Sequence, residues 1–230
     1  MEIHPKIEIV DLALKYKDIL ILGDLQLGYE DYLNKNGIMV PRFQTEDTLN
    51  KIRGILDNVN VKIIVFNGDV KHQFSGISPQ EWDSVEMLIE ELIEKYKIVI
   101  VKGNHDNLLE PILKKYKGKI ELVNSYKVDN ITIVHGDKII PNPSEIIIIG
   151  HEHPAIGFKE KPNEKYKCFL KGKWNKHILI VMPSFNMLTI GSDVSKEKIL
   201  SPYLKTNLED YNVYVVEDKT YCFGKLKNIL

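Results

Sequence analysis

At 230 residues the chain is long enough to bury a large core and falls within the range of one domain. Hydrophobic residues make up 43% and charged residues 27%, the ordinary balance of a soluble globular protein, and no apolar run approaches the ~20 residues of a membrane span. A formal net charge of −1 removes bulk charge as an argument for nucleic-acid binding and leaves only local basic patches to weigh.

Met1 to Val10 alternates charged and apolar residues without an apolar signal core, so a cytoplasmic location is expected. Ile7 to Tyr16, interrupted by Asp11, suggests one or two edge strands. Asp18 to Leu22 reads as a short buried strand running into Gly23-Asp24-Leu25-Gln26-Leu27-Gly28. A helix is expected to open at Pro41 and Arg42, with Leu49, Ile52, Leu56 and Val59 at helical spacing. Ile63 to Phe66 is a second buried strand, ending in Asn67-Gly68-Asp69-Val70-Lys71-His72. Ser78-Pro79-Gln80-Glu81 has the pattern of a capping box with proline at the first helical position. The helix it starts should bury Trp82, Val85, Ile89, Leu92 and Tyr96. Ile98 to Val101 is a third buried strand, ending in Lys102-Gly103-Asn104-His105-Asp106, and a short helix is expected from about Leu108 to Tyr116 despite Pro111.

This alternation of strand and helix argues for parallel strands covered by helices. The second half differs. Ile131 to Val134 ends in His135-Gly136-Asp137, and Glu145 to Ile149 ends in Gly150-His151-Glu152-His153-Pro154. Strand-like runs come next near Cys168–Leu170, Ile178–Met182, Phe185–Ile190, Tyr211–Val216 and Thr220–Phe223, without helical periodicity between them. They suggest a mostly antiparallel second sheet packed on the first. The expected fold class is α/β: two packed mixed β-sheets flanked by α-helices, with residues 1–230 forming a single domain. Cys168 and Cys222 match no metal-binding spacing and are expected as two buried thiols in a reducing compartment.

The chemistry lies where apolar runs end in polar loops: Asp24 and Gln26, Asp69 and His72, Asn104 and His105, His135, and His151 and His153. Ligands of open α/β sheets bind outside the carboxyl ends of the strands, so five such loops can converge on one point. Of the seven histidines only His4 and His177 fall outside these loops. Carboxylate, amide and imidazole donors suit divalent first-row ions, and two ions held close together need a shared oxygen ligand, for which Asp69 is the candidate.

Gly23-Asp24-x-Gln26, Gly68-Asp69-x-x-His72, Gly103-Asn104-His105-Asp106, His135-Gly136 and Gly150-His151-x-His153 resemble, in order and spacing, the five blocks of the calcineurin-like metallophosphoesterases. The resemblance covers residues about 18 to 190. With Gly37, Pro41 and Arg42 following the first block, it looks most like a branch of small prokaryotic phosphoesterases that includes the ligase-associated DNA-repair nucleases. It implies a sandwich of two sheets and two divalent metal ions, with Mn²⁺ favoured over Zn²⁺, Ni²⁺, Co²⁺ or Fe²⁺. Asp24, Gln26, Asp69 and His153 would hold one ion, and Asp69, Asn104, His135 and His151 the other. It also implies hydrolysis of phosphodiesters in nucleotides or nucleic acid by a hydroxide held at the ions. His105 would be the general acid, Asp106 would orient it, and His72 would face the substrate or the ligands. A phosphomonoesterase or nucleotide pyrophosphatase of the same fold, or an inactive binding scaffold, are the alternatives. Ser/Thr protein phosphatases carry arginine shortly after the middle Asp, whereas Val70-Lys71-His72 stands here. Many relatives have histidine at position 26, and Gln26 is a weaker ligand through its amide oxygen, so the first ion should be held more loosely.

Other residues invite plainer readings. His4 and His177 read as ordinary, Arg42 as an exposed residue at a helix start, and Asp137 as either a turn residue or an orienter of His135. The segment from Phe158 to His177 interleaves lysines with Phe158, Tyr166, Phe169 and Trp174. It could stack a single strand, but a solvated hairpin is favoured, and Lys114–Lys119 is read the same way.

Overall fold

The computed structural model describes residues 1–159 and 161–229. Two sheets carry the chain. The first has seven strands in sequence order: β1 (Glu2–His4), β2 (Ile7–Val10), β3 (Ala13–Tyr16), β4 (Ile19–Leu22), β5 (Ile63–Asn67), β6 (Lys97–Val101) and β7 (Ile120–Val123). Neighbours from β1 to β4 are antiparallel, and β4 to β7 are parallel. Only β1 of the N-terminal strands is an edge; β2 and β3 lie inside the sheet.

The second sheet contains β8 (Tyr126–Val128), β9 (Ile131–Ile133), β10 (Ile146–Ile149), β11 (Pro154–Phe158), β12 (Lys161–Trp174), β13 (His177–Val181), β14 (Ser192–Asp193), β15 (Asn212–Val216) and β16 (Thr220–Lys225). Its order is β14-β11-β12-β13-β10-β9-β8, with β15 pairing β12 and β16. The expectation of a mostly antiparallel sheet fails at its centre, where β10 runs parallel to both β9 and β13. The sign was present in β10 itself: four consecutive isoleucines, all buried, fit a strand covered on both faces.

Alternate residues of β10 serve two cores. Ile146 and Ile148 join the main core between the sheets, with Ile64, Val65, Val99 and Phe169. Ile147 and Ile149 join a second core with Leu179, Val213, Tyr203 and Leu208. The main core also takes Leu49, Ile52 and Ile55 of α2 (Gln44–Leu56) and Val85, Leu88, Ile89 and Leu92 of α3 (Pro79–Leu92). Trp82 and Tyr96 are only half-buried, unlike the expectation.

Helix boundaries differ from the sequence reading for identifiable reasons. An unforeseen α1 (Tyr29–Lys35) comes after the first motif. α2 starts at Gln44 rather than Pro41, because the buried Gln44 donates its N–H to Glu30 (2.9 Å) and its side-chain amide to the Gln26 carbonyl (2.9 Å). The expected helix from Leu108 to Tyr116 is broken into two 3₁₀ turns around α4 (Glu110–Leu113), whose first turn contains Pro111, a residue without an N–H to continue the preceding turn. Phe185–Ile190 is not a strand. Cys168 is buried, but Cys222 is exposed, and both are free. No helix among the described residues is long and apolar enough to cross a membrane.

At the carboxyl edge of the first sheet Leu22 pairs with Phe66, and Phe66 with Ile100. β4, β5 and β6 therefore end nearly flush, and their outgoing loops leave from one line.

Candidate metal centre

Each motif loop leaves a buried strand and must turn at the sheet edge. Asp24 (φ 55°), Gln26 (48°), Asp69 (49°), His151 (65°) and His153 (50°) all turn in the left-handed region. A non-glycine residue there costs on the order of 1 kcal/mol, and such strain persists only where surrounding contacts impose it. The first two loops impose it on each other. The Gln26 N–H donates to the Asp69 carbonyl (2.8 Å), Leu27 N–H to Val70 (2.9 Å) and His72 N–H to Leu27 (3.0 Å), which continues the parallel ladder past the strands. The two carboxylates each rest on a glycine of another loop. A Cβ on Gly103 would lie 2.2 Å from Asp69 Oδ1, and one on Gly150 would lie 2.3 Å from Asp24 Oδ2.

The side chains converge. Asp69 Oδ2 is 3.4 Å from His135 Nε2. That nitrogen is 3.0 Å from Asn104 Oδ1 and 3.1 Å from His151 Nδ1. Asp69, His135 and His151 each place a donor atom within 4.8 Å of the others. Beside them His153 Nε2 lies 3.0 Å from Asp24 Oδ1, which is 3.8 Å from His135 Nδ1. Of the seven expected donors only Gln26 is tied in through its main chain alone; its side chain makes no hydrogen bond among the described residues.

These contacts fit a cation. The buried His153 Nε2 has no hydrogen-bond partner although Asp24 is 3.0 Å away, so the pair is close but not aligned for a hydrogen bond. Two imidazole nitrogens of His135 and His151 face one another at 3.1 Å. Carboxylate, amide and imidazole lone pairs aimed at a common point are the donor chemistry of a divalent first-row ion. Charge is already arranged for one. Burial alone would raise the Asp69 carboxyl, but His135 beside it holds it below the usual carboxylate range. Burial alone would depress His135, but Asp69 and Asp24 lift it above the ordinary imidazole range. His151 is lowered, first by burial and then by His135.

Orientation of the donors comes from main-chain groups. The Asn67 carbonyl faces His135 Nδ1 (3.3 Å), which turns Nε2 toward Asp69 and Asn104. Asp137, a sequence candidate for this role, takes no part in it. His105 donates its own N–H to Asp69 Oδ1 (3.0 Å), and its ring Nδ1 bonds the His72 carbonyl, leaving Nε2 3.8 Å from Asp69 Oδ2. Asp106, expected to orient this ring, does not. Its buried carboxylate accepts the N–H groups of Val70 (3.0 Å) and Gly103 (2.9 Å), clamping the Asp69 loop to the Asn104 loop. Burial and the Asp69 charge push it up to about 6.

His72 lies outside the donor cluster. Its ring packs against Tyr29 (centroids 4.7 Å) and Tyr32 (4.8 Å) and stacks at 5.8 Å on His105. Burial, with His105 adding to it, depresses it to about 4, so it is neutral at physiological pH. A cleft of about 640 Å³ opens there, lined by Tyr29, Tyr32, His72, Gln73, Phe74, Ser75 and His105. Sequence reasoning missed Tyr29, Tyr32 and Phe74; the signal was their position shortly after Gly28 and His72. It also misread Phe185–Ile190 as a strand. Ser184 Oγ donates to the Asp24 carbonyl (2.8 Å), Phe185 N–H donates to Gly23 (2.9 Å), and the half-buried Lys167 amine bonds the carbonyls of Ser184 and Asn186. The segment buttresses the Asp24 loop instead of joining a sheet.

The remaining candidates are ordinary. His177 bonds the Ser144 carbonyl (2.8 Å) and stacks on Trp174. His4 lines a separate cleft with Lys171, Tyr211 and Lys225 that contains no motif residue. Arg42 is exposed and 3.7 Å from Asp31. In the lysine-rich segment Phe158 packs on Tyr166 and Phe223, Phe169 is buried, and Trp174 packs on Tyr203, so these rings are used internally; residue 160 lies outside the described residues. Lys115 and Lys119 pair with Glu86, Glu90 and Glu94.

The family model for calcineurin-like phosphoesterases matches residues 17–216. No curated protein matches the chain. Among solved structures, the nuclease MPE of Pseudomonas putida is similar with a TM-score of 0.67 at 18% identity, over 93% of this chain and 92% of that chain. The likeness is one of fold. A protein of unknown function from Aquifex aeolicus reaches a TM-score of 0.38 at 18% identity, over 59% of this chain and 78% of its own, too partial a likeness to argue from.

Proposed function

The chain belongs to the calcineurin-like phosphoesterase family, and from that premise we propose that it is a dinuclear, divalent-metal-dependent phosphodiesterase acting on nucleotides or nucleic acid. The observation carrying this reading is the convergence of Asp24, Asp69, Asn104, His135, His151 and His153 from both sheets, with His105 at its rim. Asp24, Gln26, Asp69 and His153 would hold one ion, and Asp69, Asn104, His135 and His151 the other. Mn²⁺ suits this mixture of oxygen and nitrogen donors, with Zn²⁺, Ni²⁺, Co²⁺ and Fe²⁺ as alternatives. When bound, such ions supply positive charge to the phosphoryl oxygens and acidify a water molecule. Residues 1–230 act as one catalytic domain in this reading, because the donors come from both sheets.

His105 delivers the proton. Its Nδ1–H donates to the His72 carbonyl, which fixes the ring and leaves Nε2 as the nitrogen facing the reaction centre. In the imidazolium form the Nε2–H passes to the departing ester oxygen, which would otherwise leave as an alkoxide. Asp106 holds the loops that place His105 against Asp69.

The surroundings favour a diester over a monoester. A terminal phosphate carries a second negative charge that arginine or lysine usually meets. Three basic side chains on or near the donor loops are already engaged. Lys71 donates to the carbonyls of Gln73 and Gly76, Lys167 to those of Ser184 and Asn186, and Arg42 lies near Asp31.

The test is turnover of bis(4-nitrophenyl) phosphate and 4-nitrophenyl phosphate by Mn²⁺-loaded protein, followed by cyclic nucleotides and single- and double-stranded DNA. Faster hydrolysis of the diester is expected. Bound metal with no turnover of any ester would leave a binding scaffold, and preference for the monoester would reverse the assignment.

A further inference from the structure

We propose that the cleft walled by Tyr29, Tyr32, His72 and Phe74 is a stacking subsite for the nucleobase of the departing nucleoside. This rests on the phosphodiesterase reading above and assigns part of its substrate. His105 gives its proton to the leaving oxygen, so whatever that oxygen carries lies beside His105. Beside His105 the protein presents rings: Phe74 edge-on to it (centroids 5.6 Å, 90°), His72 stacked on it, and Tyr29 and Tyr32 packed in turn on His72, themselves 6.0 Å apart and nearly parallel at 19°.

Two of these rings are solvent-facing where a folded chain gains nothing from exposing them: Phe74 is 57% exposed and Tyr32 45%. Exposed aromatic faces beside a polar reaction centre stack planar bases without sequence preference. Gln73 and Ser75 add hydrogen-bonding groups that an aliphatic leaving group would leave unsatisfied. A lining without lysine or arginine among the described residues argues against a second phosphate in the cleft. A space of about 640 Å³ accommodates a nucleoside. The loop that bears Phe74 is also fixed in advance. The Gln73 N–H donates to Glu81 Oε1 (2.6 Å), and Lys71 bonds the Gln73 and Gly76 carbonyls from below.

Calorimetric titration of Mn²⁺-loaded protein with adenosine 5′-monophosphate and with ribose 5-phosphate tests the subsite, because the two differ only in the base. Stacking should make the nucleotide bind about 5- to 150-fold more tightly. Tyr32→Ala/Phe74→Ala should bring the ratio of the two affinities close to one, and Tyr32→Phe/Phe74→Tyr should retain it. Both positions are exposed, so folding is not at stake. Equal affinities in the native protein, or a ratio that survives the double alanine variant, would overturn the proposal. If bis(4-nitrophenyl) phosphate is hydrolysed and the ratio is absent, the subsite falls and the phosphodiesterase stands. If no ester is hydrolysed and the ratio is present, a nucleobase site exists but its assignment to a leaving group falls.

Discussion

His105 is anchored through its own N–H on Asp69 and its ring Nδ1 on the His72 carbonyl, so removing the imidazole should cost proton transfer and little else. His105→Asn should lower kcat by about 10²–10⁴ with metal affinity within about threefold of native, read by turnover and calorimetry on the same sample. A variant that keeps native kcat would take the residue out of the chemistry. His135 sets a pH dependence. In the metal-free protein Asp69 and Asp24 raise its pKa above the ordinary imidazole range, so it holds a proton that a cation must displace. Metal affinity should therefore strengthen from about pH 6 to about pH 8, by up to ~10-fold per unit for one proton released. The sign for stability is opposite. A raised pKa means that the Asp69–His135 pair stabilises the metal-free fold fully below the unfolded imidazole value, and that this contribution fades as pH climbs through the higher folded one. Metal affinity that does not change across this range would show that His135 is not displaced from its proton. The converging side chains themselves were legible in the sequence, because Asp, Asn and His placed directly after buried apolar runs have few structural uses in combination. Their supports were not. The Asn67 and His72 carbonyls that orient two rings have no side-chain signature, and Asp106 is next to His105 in sequence while its carboxylate points to other amides.

At the scale of elements, the cap of α3 does more than start a helix. Ser78 Oγ accepts the Glu81 N–H (3.1 Å), and Glu81 Oε2 accepts the Ser78 N–H (2.8 Å), the reciprocal pair that the sequence pattern announces. The second oxygen of the same buried carboxylate accepts the Gln73 N–H, so helix start and aromatic loop share one anchor. Ser78→Ala should cost about 1 kcal/mol by urea denaturation with kcat unchanged. Glu81→Ala should cost about 1–3 kcal/mol more, because it leaves the Gln73 amide unpaired, and should also raise KM for nucleotides. Equal losses in the two variants would mean that the link to Gln73 carries no energy. The cap was readable because its residues are contiguous; the link was not, since it joins residues whose proximity only the fold creates. The same distinction holds between β4, β5, β6 and β10, visible as apolar runs, and residues 185–190. There Phe185, Leu188 and Ile190 mimic a strand while the backbone amides of Phe185 and Asn186 are used on the Asp24 loop.

The molecule as a whole places its donors across the seam between two sheets. Asp24, Asp69 and Asn104 follow β4, β5 and β6, whereas His135 follows β9 and His151 and His153 lie between β10 and β11. A bound cation would therefore bridge layers that otherwise meet through apolar packing and a few hydrogen bonds such as Phe185 N–H to Gly23, and it would stabilise only the folded chain, where the candidate donors are together. At 100-fold excess over Kd the gain is ~2.7 kcal/mol, equivalent to a Tm increase of about 5–10 °C for a chain of this size. Thermal scans with Mn²⁺ and with a chelator should show this increase, absent from Asp69→Asn/His135→Ala; an unchanged Tm in the native protein would mean that the seam holds no ion. A different consequence comes from the two carboxylates seated against Gly103 and Gly150. A designer who copied the seven candidate donor side chains onto another scaffold would obtain a list of functional groups without their footings. The bare backbones beneath the acids would have to be transplanted with them, which makes these side chains inseparable from the loops that surround them.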